Sequence, residues 1–198
     1  VPEHDIALVR VVKRSIDARQ RQPKVNLTLE VYVDREPQPA PVHFDYPDVS
    51  GHTEVVVVGS GPAGLFAALR LIELGLKPVI LERGRDVSAR KVDIAQINGA
   101  GTFSDGKLFT RSKKRGDYNK ALQTLVFHGA TPEILYEAHP HIGTDKLPRI
   151  MQNIRQTILG SGGQFVFGSR VTDLEIRNGR IRGVRCGDTF VEGAAVVL

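Results

Sequence analysis

The chain has 198 residues, of which 41% are hydrophobic and 25% charged, and its formal net charge is +5. These proportions are typical of a globular protein, and no apolar run approaches the length of a membrane span, which argues against a membrane protein. The single cysteine, Cys186, excludes an internal disulfide and a C-x-x-C redox pair. It also predicts a cytoplasmic location, and any redox chemistry must then belong to a bound cofactor.

Residues 1–50 predict a small β-rich appendage. The apolar stretches Ile6–Val12 and Val25–Val33 contain residues typical of strands, and the polar segment Arg19–Pro23 predicts the connection of a hairpin. Four prolines between positions 37 and 47 are typical of an extended linker. We therefore expect a hairpin appendage with its linker at 1–50 and a main domain at 51–198.

The hairpin also carries basic residues that make RNA a candidate partner. Lys13, Arg14 and Arg19 lie in one short stretch. Acidic residues nearby offset their charge, and aromatic side chains on which bases could stack are scarce. This composition favours an ordinary solvated surface over a nucleic-acid site.

The strongest pattern is a strand, a glycine-rich turn, a helix and a second strand within residues 53–84. The strands are predicted at Val55–Val58 and Pro78–Leu81, and Gly75 ends the helix. The turn between the first strand and the helix has the spacing G-x-G-x-x-G. The apolar face of the helix is formed by Leu65, Ala68, Leu69 and Ile72. This order of elements predicts a βαβ unit that binds a dinucleotide.

Each glycine of the turn has a physical role in such a unit. Gly59 lets the chain turn sharply out of the strand, Gly61 lets a pyrophosphate approach the backbone, and Gly64 lets the helix pack close to the sheet. Pro62 suits the first helical turn, where its missing N–H would have had no partner. The N–H groups at the start of this helix, which carry a partial positive charge, then face the phosphates.

The second strand ends on an acidic residue, Glu82. At this position a carboxylate accepts hydrogen bonds from the 2′-hydroxyl of a ribose. It would repel a 2′-phosphate, which argues against NADP in this site.

The segment after the second strand predicts a helix at Val87–Asn98 and then a loop at Gly99–Leu108. Glycines such as Gly101 and hydroxylated residues crowd this loop, which can therefore offer several hydrogen-bond donors to an oxyanion. A plain surface loop is the alternative. The glycine turn upstream favours a second contact with a phosphate or a flavin.

Two further helices are predicted, at Tyr118–Val126 and at Lys146–Leu159, the second capped by Thr144 or Asp145. Between them lie His139 and His141, close to Asp145. Pro140 stiffens the backbone between the histidines and no thiolate lies near, so we predict no metal site. His141 or Asp145 could line a ligand pocket, or these residues could be ordinary loop residues.

The last part of the chain predicts mainly strands. A short strand is expected at Gln164–Phe167, and Ala194–Leu198 predicts a returning parallel strand. Between them we expect a three-stranded meander in which Asn178-Gly179 is a two-residue hairpin turn. Its strands are predicted at Arg170–Arg177, Arg180–Cys186 and Thr189–Glu192.

These elements together predict an α/β fold. It is a Rossmann-like domain with a parallel sheet and an inserted three-stranded β-meander, preceded by the β-rich appendage. The chain lacks an initiator methionine and stops within an apolar run. We therefore expect it to be a fragment of a longer chain, with the domain incomplete at its C-terminus.

This order of elements resembles the FAD-binding domain of flavoproteins of the glutathione-reductase type. Three further segments resemble motifs of a bacterial family of uncharacterised FAD-dependent dehydrogenases or oxidoreductases: KRSIDAR at 13–19, GAGTFSDGKL at 99–108 and HPHIGTDKL at 139–147. The resemblance covers nearly the whole chain. Its nucleotide fingerprint is specific for the cofactor but leaves the reaction open.

The resemblance implies a role for each matching residue in holding FAD. The pyrophosphate would lie against Gly59, Gly61, Ala63 and Gly64. Glu82 and Arg83 would hold the adenosine ribose, and the backbone of Val171 would meet the adenine. The diphosphate or the flavin would be approached by Thr102, Ser104, Asp105 and Lys107.

The function that this resemblance implies is that of an FAD-dependent oxidoreductase. The flavin would transfer a hydride or electrons to or from a small-molecule substrate, with NAD(P)H as a candidate electron donor. No catalytic residue is identified, and the fragment alone is expected to be inactive. Two alternatives stay open, an NAD-dependent dehydrogenase domain and an RNA-associated protein with a structural or regulatory flavin. The long excursion after Glu82 and the meander favour FAD over NAD.

Overall fold

The computed structural model describes residues 2, 5–35, 43–84, 106–108 and 116–198. In chain order, the elements are β1 (Ile6–Asp17), β2 (Lys24–Val33), β3 (Glu54–Val58), α1 (Pro62–Glu73), β4 (Lys77–Leu81), α2 (Tyr118–Phe127), a short 3-10 helix (Pro132–Leu135), α3 (Leu147–Gly160), β5 (Gln164–Val166), β6 (Asp173–Arg177), β7 (Arg180–Cys186), β8 (Thr189–Glu192) and β9 (Ala195–Val197). No helix in these ranges is long and apolar enough to cross a membrane.

The chain divides into two compact units. The hairpin unit combines Val1–His43 with Gly106–Gly143, and the sheet unit combines Phe44–Asp105 with Thr144–Leu198. The domain boundary predicted between residues 50 and 51 stays a prediction. The helix predicted at Val87–Asn98 lies outside the described residues.

The hairpin unit is built on the antiparallel pair β1 and β2. The backbone of Arg14 in β1 extends this pairing on its other side: its N–H donates to the Tyr136 carbonyl at 2.8 Å and its carbonyl accepts from the Ala138 N–H at 2.9 Å. The predicted hairpin is therefore present, but β1 continues five residues beyond the predicted end at Val12. A register shift between Val11 and Lys13 accommodates the extra residue, so the polar second half of β1 still pairs with β2.

The sheet unit contains a four-stranded parallel sheet in the order β5-β4-β3-β9. The chain passes from β3 through α1 to β4, and from β4 through α3 to β5, moving in the same direction each time. Because such crossovers are right-handed, both helices lie on one face of the sheet. The carboxyl ends of all four strands meet at one edge, which we call the carboxyl edge.

Alternation along the strands divides the core into two layers. Val56, Val79 and Leu81 pack on one side against Val184 of β7, and all four side chains are almost completely buried. The opposite side of the sheet faces the helices, which contribute buried apolar residues at helical spacing. In α1 these are Leu65, Ala68, Leu69 and Ile72, and in α3 they are Leu147, Ile150, Met151, Ile154 and Ile158.

The meander is a separate antiparallel sheet in the order β6-β7-β8. Asn178 and Gly179 both have positive φ angles, 53° and 72°, as a type I′ hairpin turn requires. The meander covers the face of the parallel sheet that the helices leave open. The predicted fold class, a Rossmann-like parallel sheet with an inserted three-stranded meander, is confirmed.

The cap predicted for α3 is wrong. The N-cap residue is Lys146, in place of Thr144 or Asp145, and no side chain accepts a capping hydrogen bond there. The first turn contains a proline, Pro148, which has no N–H to satisfy. Because this turn has one backbone N–H fewer to satisfy, it depends less on a capping side chain.

Replacing Ile154 with alanine tests the packing of α3. Ile154 is fully buried, so Ile154→Ala is expected to lower the free energy of unfolding by about 2–5 kcal/mol through lost burial and the cavity that remains. Leu159→Ala on the same helix is the matched control, since that side chain is 40% exposed. Chemical denaturation measures both, and equal losses would contradict this packing.

Candidate functional site

The glycine-rich turn leaves the sheet at its carboxyl edge. Gly59 has a φ angle of +96°, a conformation that glycine adopts without steric cost. Its N–H donates to the carbonyl of Leu81 at 2.8 Å. The turn therefore stays bonded to β4 while the chain reverses from β3 into α1.

Gly64 is the point at which α1 comes closest to the turn. A Cβ atom on this residue would lie 2.0 Å from the carbonyl oxygen of Gly59 and 3.4 Å from a methyl group of Val57. Both the helix and the turn are backbone at this contact, so neither can give way cheaply. This geometry agrees with the packing role predicted for Gly64.

The N-terminus of α1 opens outward at Gly61. A Cβ atom there would meet nothing within 4 Å, in contrast to the crowded Gly64. Gly61 is the N-cap residue and supplies no capping side chain, Pro62 follows it, and the first turn contains no acidic residue. The early N–H groups of a helix have no partner within the helix and carry a partial positive charge. This end of α1 is therefore suited to an anion such as a phosphate.

Glu82 is bound to the glycine turn through Ser60. Its Oε2 atom accepts from the Ser60 N–H at 2.9 Å and from the Ser60 hydroxyl at 2.7 Å, and its Oε1 atom accepts from the Gly84 N–H at 2.8 Å. A carboxylate has about four acceptor positions. The three bonds therefore hold the side chain in place and leave acceptor capacity for a ligand hydroxyl.

These bonds also keep Glu82 ionised. Partial burial raises the pKa of its carboxyl group, but the hydrogen bonds from Gly84 and Ser60, together with the charge of Arg83, outweigh burial and leave the pKa below its usual value. A negative charge therefore lies beside the open end of α1 at neutral pH.

Sequence reasoning missed the part played by Ser60, which occupies a variable position of the motif. The predicted βαβ unit contained a signal, since its two strands are parallel and their carboxyl ends lie side by side, as the pairing of Val58 with Leu81 shows. The residues that follow these two strand ends, Ser60 and Glu82, must emerge at the same edge. A hydroxyl group at this position was therefore a candidate partner for the acid.

Two other predicted residues are Arg83 and Val171. Arg83 follows Glu82 and is exposed. The segment that leads to Val171 is bonded to the same place: the Ser169 N–H donates to the Glu82 carbonyl at 2.9 Å, and the Gly168 N–H donates to the Gly84 carbonyl at 2.8 Å. The side chain of Val171 packs against the core beneath the meander. The structure thus places Arg83 next to Glu82 and bonds the segment just before Val171 to the same part of the chain.

The remaining predicted residues belong to the hairpin unit or lie outside the described residues. Lys107 belongs to the hairpin unit, where it forms an antiparallel bridge with His141. Gly101, Thr102, Ser104 and Asp105 lie outside the described residues. Within the described ranges, no group of three or more histidine, cysteine or acidic residues could hold a metal ion.

Two of the three basic residues considered as an RNA contact lie beside acidic residues of the same unit. Arg14 lies 3.4 Å from a carboxylate oxygen of Glu137, and Arg19 lies 2.7 Å from one of Asp17. Such exposed pairs are weak, but each carboxylate reduces the local positive charge that a phosphate backbone would meet. The hairpin therefore offers less charge than its sequence suggests.

Comparison with known proteins assigns the region around the turn. Residues 52–156, more than half of the chain, match the family described as FAD binding domain. Residues 1–32 match a domain of unknown function, DUF8436. A solved structure of glycine oxidase from Bacillus cereus is similar with a TM-score of 0.51 at 15% identity, over 73% of this chain and 55% of that one. This likeness concerns the fold alone.

Several proteins share detectable sequence similarity with the chain. An uncharacterized protein of Clostridium beijerinckii is 33% identical over 99% of this chain and 43% of its own length. A probable electron transfer flavoprotein-quinone oxidoreductase of Escherichia coli, YdiS, is 27% identical over 73% of this chain and 35% of its own length. The 6-methylpretetramide 4-monooxygenase of Streptomyces rimosus is 29% identical over 71% of this chain and 35% of its own length. The chain thus spans less than half the length of these relatives.

Gly61 and Gly64 should differ in how much stability an added methyl group costs. Gly64→Ala is expected to lower the free energy of unfolding by about 3 kcal/mol, because its Cβ would overlap the Gly59 carbonyl. Gly61→Ala, the matched control, is expected to cost less than about 1 kcal/mol without ligand, since it only weakens an N-cap. Chemical denaturation of the ligand-free protein measures both, and a larger loss for Gly61→Ala would contradict the geometry.

The bonds of Glu82 predict a pH-dependent contribution to stability. Because its pKa is lower in the folded state than in the unfolded chain, the stabilisation is fully present above the ordinary glutamate value of about 4.3 and is lost as the pH falls through the lower folded-state value. The stability gap between the native protein and Glu82→Gln should therefore narrow on acidification. Unfolding curves recorded across this pH range measure the gap.

The control for this experiment is Glu192→Gln, which removes an exposed carboxylate of β8. A stability gap for Glu82→Gln that widens at low pH would contradict the assignment.

Proposed function

Because the chain belongs to the FAD binding domain family, we propose that it is the FAD-binding part of an oxidoreductase. The observation that carries this proposal is the open, uncapped N-terminus of α1 at Gly61, joined to Glu82 through Ser60. One end of this arrangement suits a phosphate and the other suits a hydroxyl donor. The ADP half of FAD offers both groups.

The residues of the turn fit this half of the cofactor. The N–H groups of Ala63 and Gly64, in the first turn of α1, donate to the pyrophosphate, and the absence of a side chain at Gly61 gives the phosphate its approach. Glu82 accepts a hydrogen bond from the ribose with its remaining acceptor capacity. Bound FAD supplies the redox chemistry. The turn holds and orients the cofactor at its adenosine end.

The other predicted contacts extend this proposal. Arg83 follows Glu82 in the chain, which supports its role at the ribose. Gly168 and Ser169, just before Val171, bond to the backbone of Gly84 and Glu82, which supports a role for Val171 at the adenine. Lys107 is proposed to contact the diphosphate or the flavin. The same role is proposed for Gly101, Thr102, Ser104 and Asp105.

The oxidoreductase activity is supported by the names of the relatives. The Escherichia coli protein is described as an electron transfer flavoprotein-quinone oxidoreductase and the Streptomyces rimosus protein as a monooxygenase. We propose a flavoprotein of the glutathione-reductase type, within the family of bacterial FAD-dependent dehydrogenases or oxidoreductases, that acts on a small-molecule substrate. NAD(P)H is the proposed electron donor, and residues 1–50 are proposed as an appendage to the domain at 51–198. The cytoplasmic location stays a prediction.

The two rival functions lose support from separate observations. The family match names FAD, whereas an NAD-dependent dehydrogenase would depend on the glycine turn alone. An RNA-binding role would depend on Lys13, Arg14 and Arg19, of which two lie beside carboxylates. The FAD proposal explains the turn, the acid and the meander together.

A binding experiment on the full-length protein tests the proposal. Because the described contacts serve the ADP half, the protein should bind FAD, ADP should compete with it, and FMN, which lacks that half, should bind far more weakly. Gly61→Ala should raise the dissociation constant for FAD by about tenfold or more, since its methyl group points into the open space at the turn. Flavin fluorescence titration measures these constants.

The fold of each variant is checked separately by circular dichroism. Leu159→Ala, altered on the outer side of α3, should bind FAD like the native protein. A protein that takes up NAD in place of FAD, or that binds FMN as tightly as FAD, would overturn the proposal. The electron donor is then sought by anaerobic reduction with NADH and with NADPH.

A further inference from the structure

The exposed face of the β6–β7 hairpin concentrates arginine residues. Arg177 and Arg180 are direct partners in the antiparallel register, on either side of the Asn178-Gly179 turn. Arg182 lies two residues further along β7, at the shift in register between the pairs Glu175–Gly183 and Ile176–Ile181. Like charges placed directly opposite each other destabilise a pair of strands. The repulsion between Arg177 and Arg180 therefore lowers the stability of the hairpin, and the fold does not require arginine at either position.

The acid that bonds to this hairpin, Glu175, leaves part of the charge uncompensated. Glu175 accepts from Arg177 at 3.2 Å and from Arg185 at 2.9 Å, so its two carboxylate oxygens are both engaged. Within the described ranges, no carboxylate lies within ion-pair distance of Arg180 or Arg182. Both residues are exposed.

Two clefts meet at these two arginines. One, of about 560 Å³, is lined by Arg177, Asn178, Arg180 and Arg182, so every charged group that faces it is a cation. The other, of about 690 Å³, is lined by Thr53, Glu54, Arg180, Ile181, Arg182, Glu192, Gly193 and Ala194. Thr53 and Glu54 begin β3, and Gly193 and Ala194 precede β9. Both clefts therefore lie toward the amino ends of the parallel strands, at the edge opposite the glycine turn.

The two clefts differ in the ligand groups that they suit. Guanidinium groups form bidentate hydrogen bonds with phosphate oxygens, which suits the smaller cleft. The larger cleft offers the Thr53 hydroxyl and the Glu192 carboxylate, which accept hydrogen bonds from hydroxyl groups. Its other acid, Glu54, is neutralised by the Lys77 ammonium group at 2.8 Å. A phosphate in one cleft and a polyhydroxylated group in the other would meet at Arg180 and Arg182.

We propose that Arg180 and Arg182 form the centre of a second ligand site, which binds a sugar phosphate at the amino edge of the sheet. The phosphate relieves the repulsion between Arg177 and Arg180, and the sugar hydroxyls bond to Glu192 and Thr53. This site is separate from the FAD site, since the two lie at opposite edges.

Isothermal titration calorimetry on the full-length protein, saturated with FAD and held at constant ionic strength, tests this site. The probes are ribose 5-phosphate and inorganic phosphate. The double variant Arg180→Gln, Arg182→Gln should raise the dissociation constant for both probes by about tenfold or more, because it removes the charge-assisted bonds to the phosphate. Arg149→Gln, on the exposed side of α3, is the matched control and should bind like the native protein.

A second variant tests the sugar part of the site. Ribose 5-phosphate should bind more tightly than inorganic phosphate, and Glu192→Gln should reduce the ratio of the two dissociation constants, because it removes the carboxylate that accepts from the sugar hydroxyls. The proposal is overturned if neither probe binds, or if Arg149→Gln weakens binding as much as the double variant, which would indicate general charge attraction. Equal affinity for the two probes would overturn the assignment to a sugar phosphate. Unchanged circular dichroism spectra exclude misfolding as the cause of any loss.

Discussion

The contact between Gly64 and the carbonyl of Gly59 is the constraint on which the rest of the sheet unit depends. With no Cβ between them, α1 lies directly against the turn, and its N-terminus reaches the carboxyl edge of the sheet. Burial of Ala68 and Ile72 along the same helix maintains this approach. A helix held further from β3 would carry its unpaired N–H groups away from the acid at the end of β4. The close packing of one glycine therefore sets the geometry of the whole candidate site.

Ser60 and Glu82 connect this constraint to the chemistry of the ligand. Their hydrogen bonds join the ends of β3 and β4, so the partial positive charge of α1 and the negative charge of Glu82 lie side by side. A dinucleotide has matching groups in its phosphate and its ribose hydroxyls. Glu54, at the start of β3, is instead paired with Lys77, at the start of β4. The two edges of the sheet thus present different electrostatics to a ligand.

Much of this arrangement could be predicted from local sequence patterns. The β3–α1–β4 unit follows from the apolar runs, the spacing of its glycines and the position of Glu82, because each depends on residues close together in the chain. The role of Ser60 was missed because its partner follows another strand, and only the pairing of β3 with β4 brings the two residues to one edge. The length of β1 was underestimated because its second half is polar and is held by pairing with β2. The cap of α3 was predicted wrongly because a capping residue type was present, but Lys146 occupies the N-cap position.

The sequence by itself determined the class of fold, the position of the glycine turn and the binding of a dinucleotide, because a dinucleotide site of this kind depends on a short run of backbone and one acid. Only the tertiary structure decided which residues share an edge of the sheet. Strands that are parallel neighbours bring together residues far apart in the chain, as Ser60 meets Glu82. Their register follows from long-range packing of α1, α3 and the meander against the sheet, which no local pattern records.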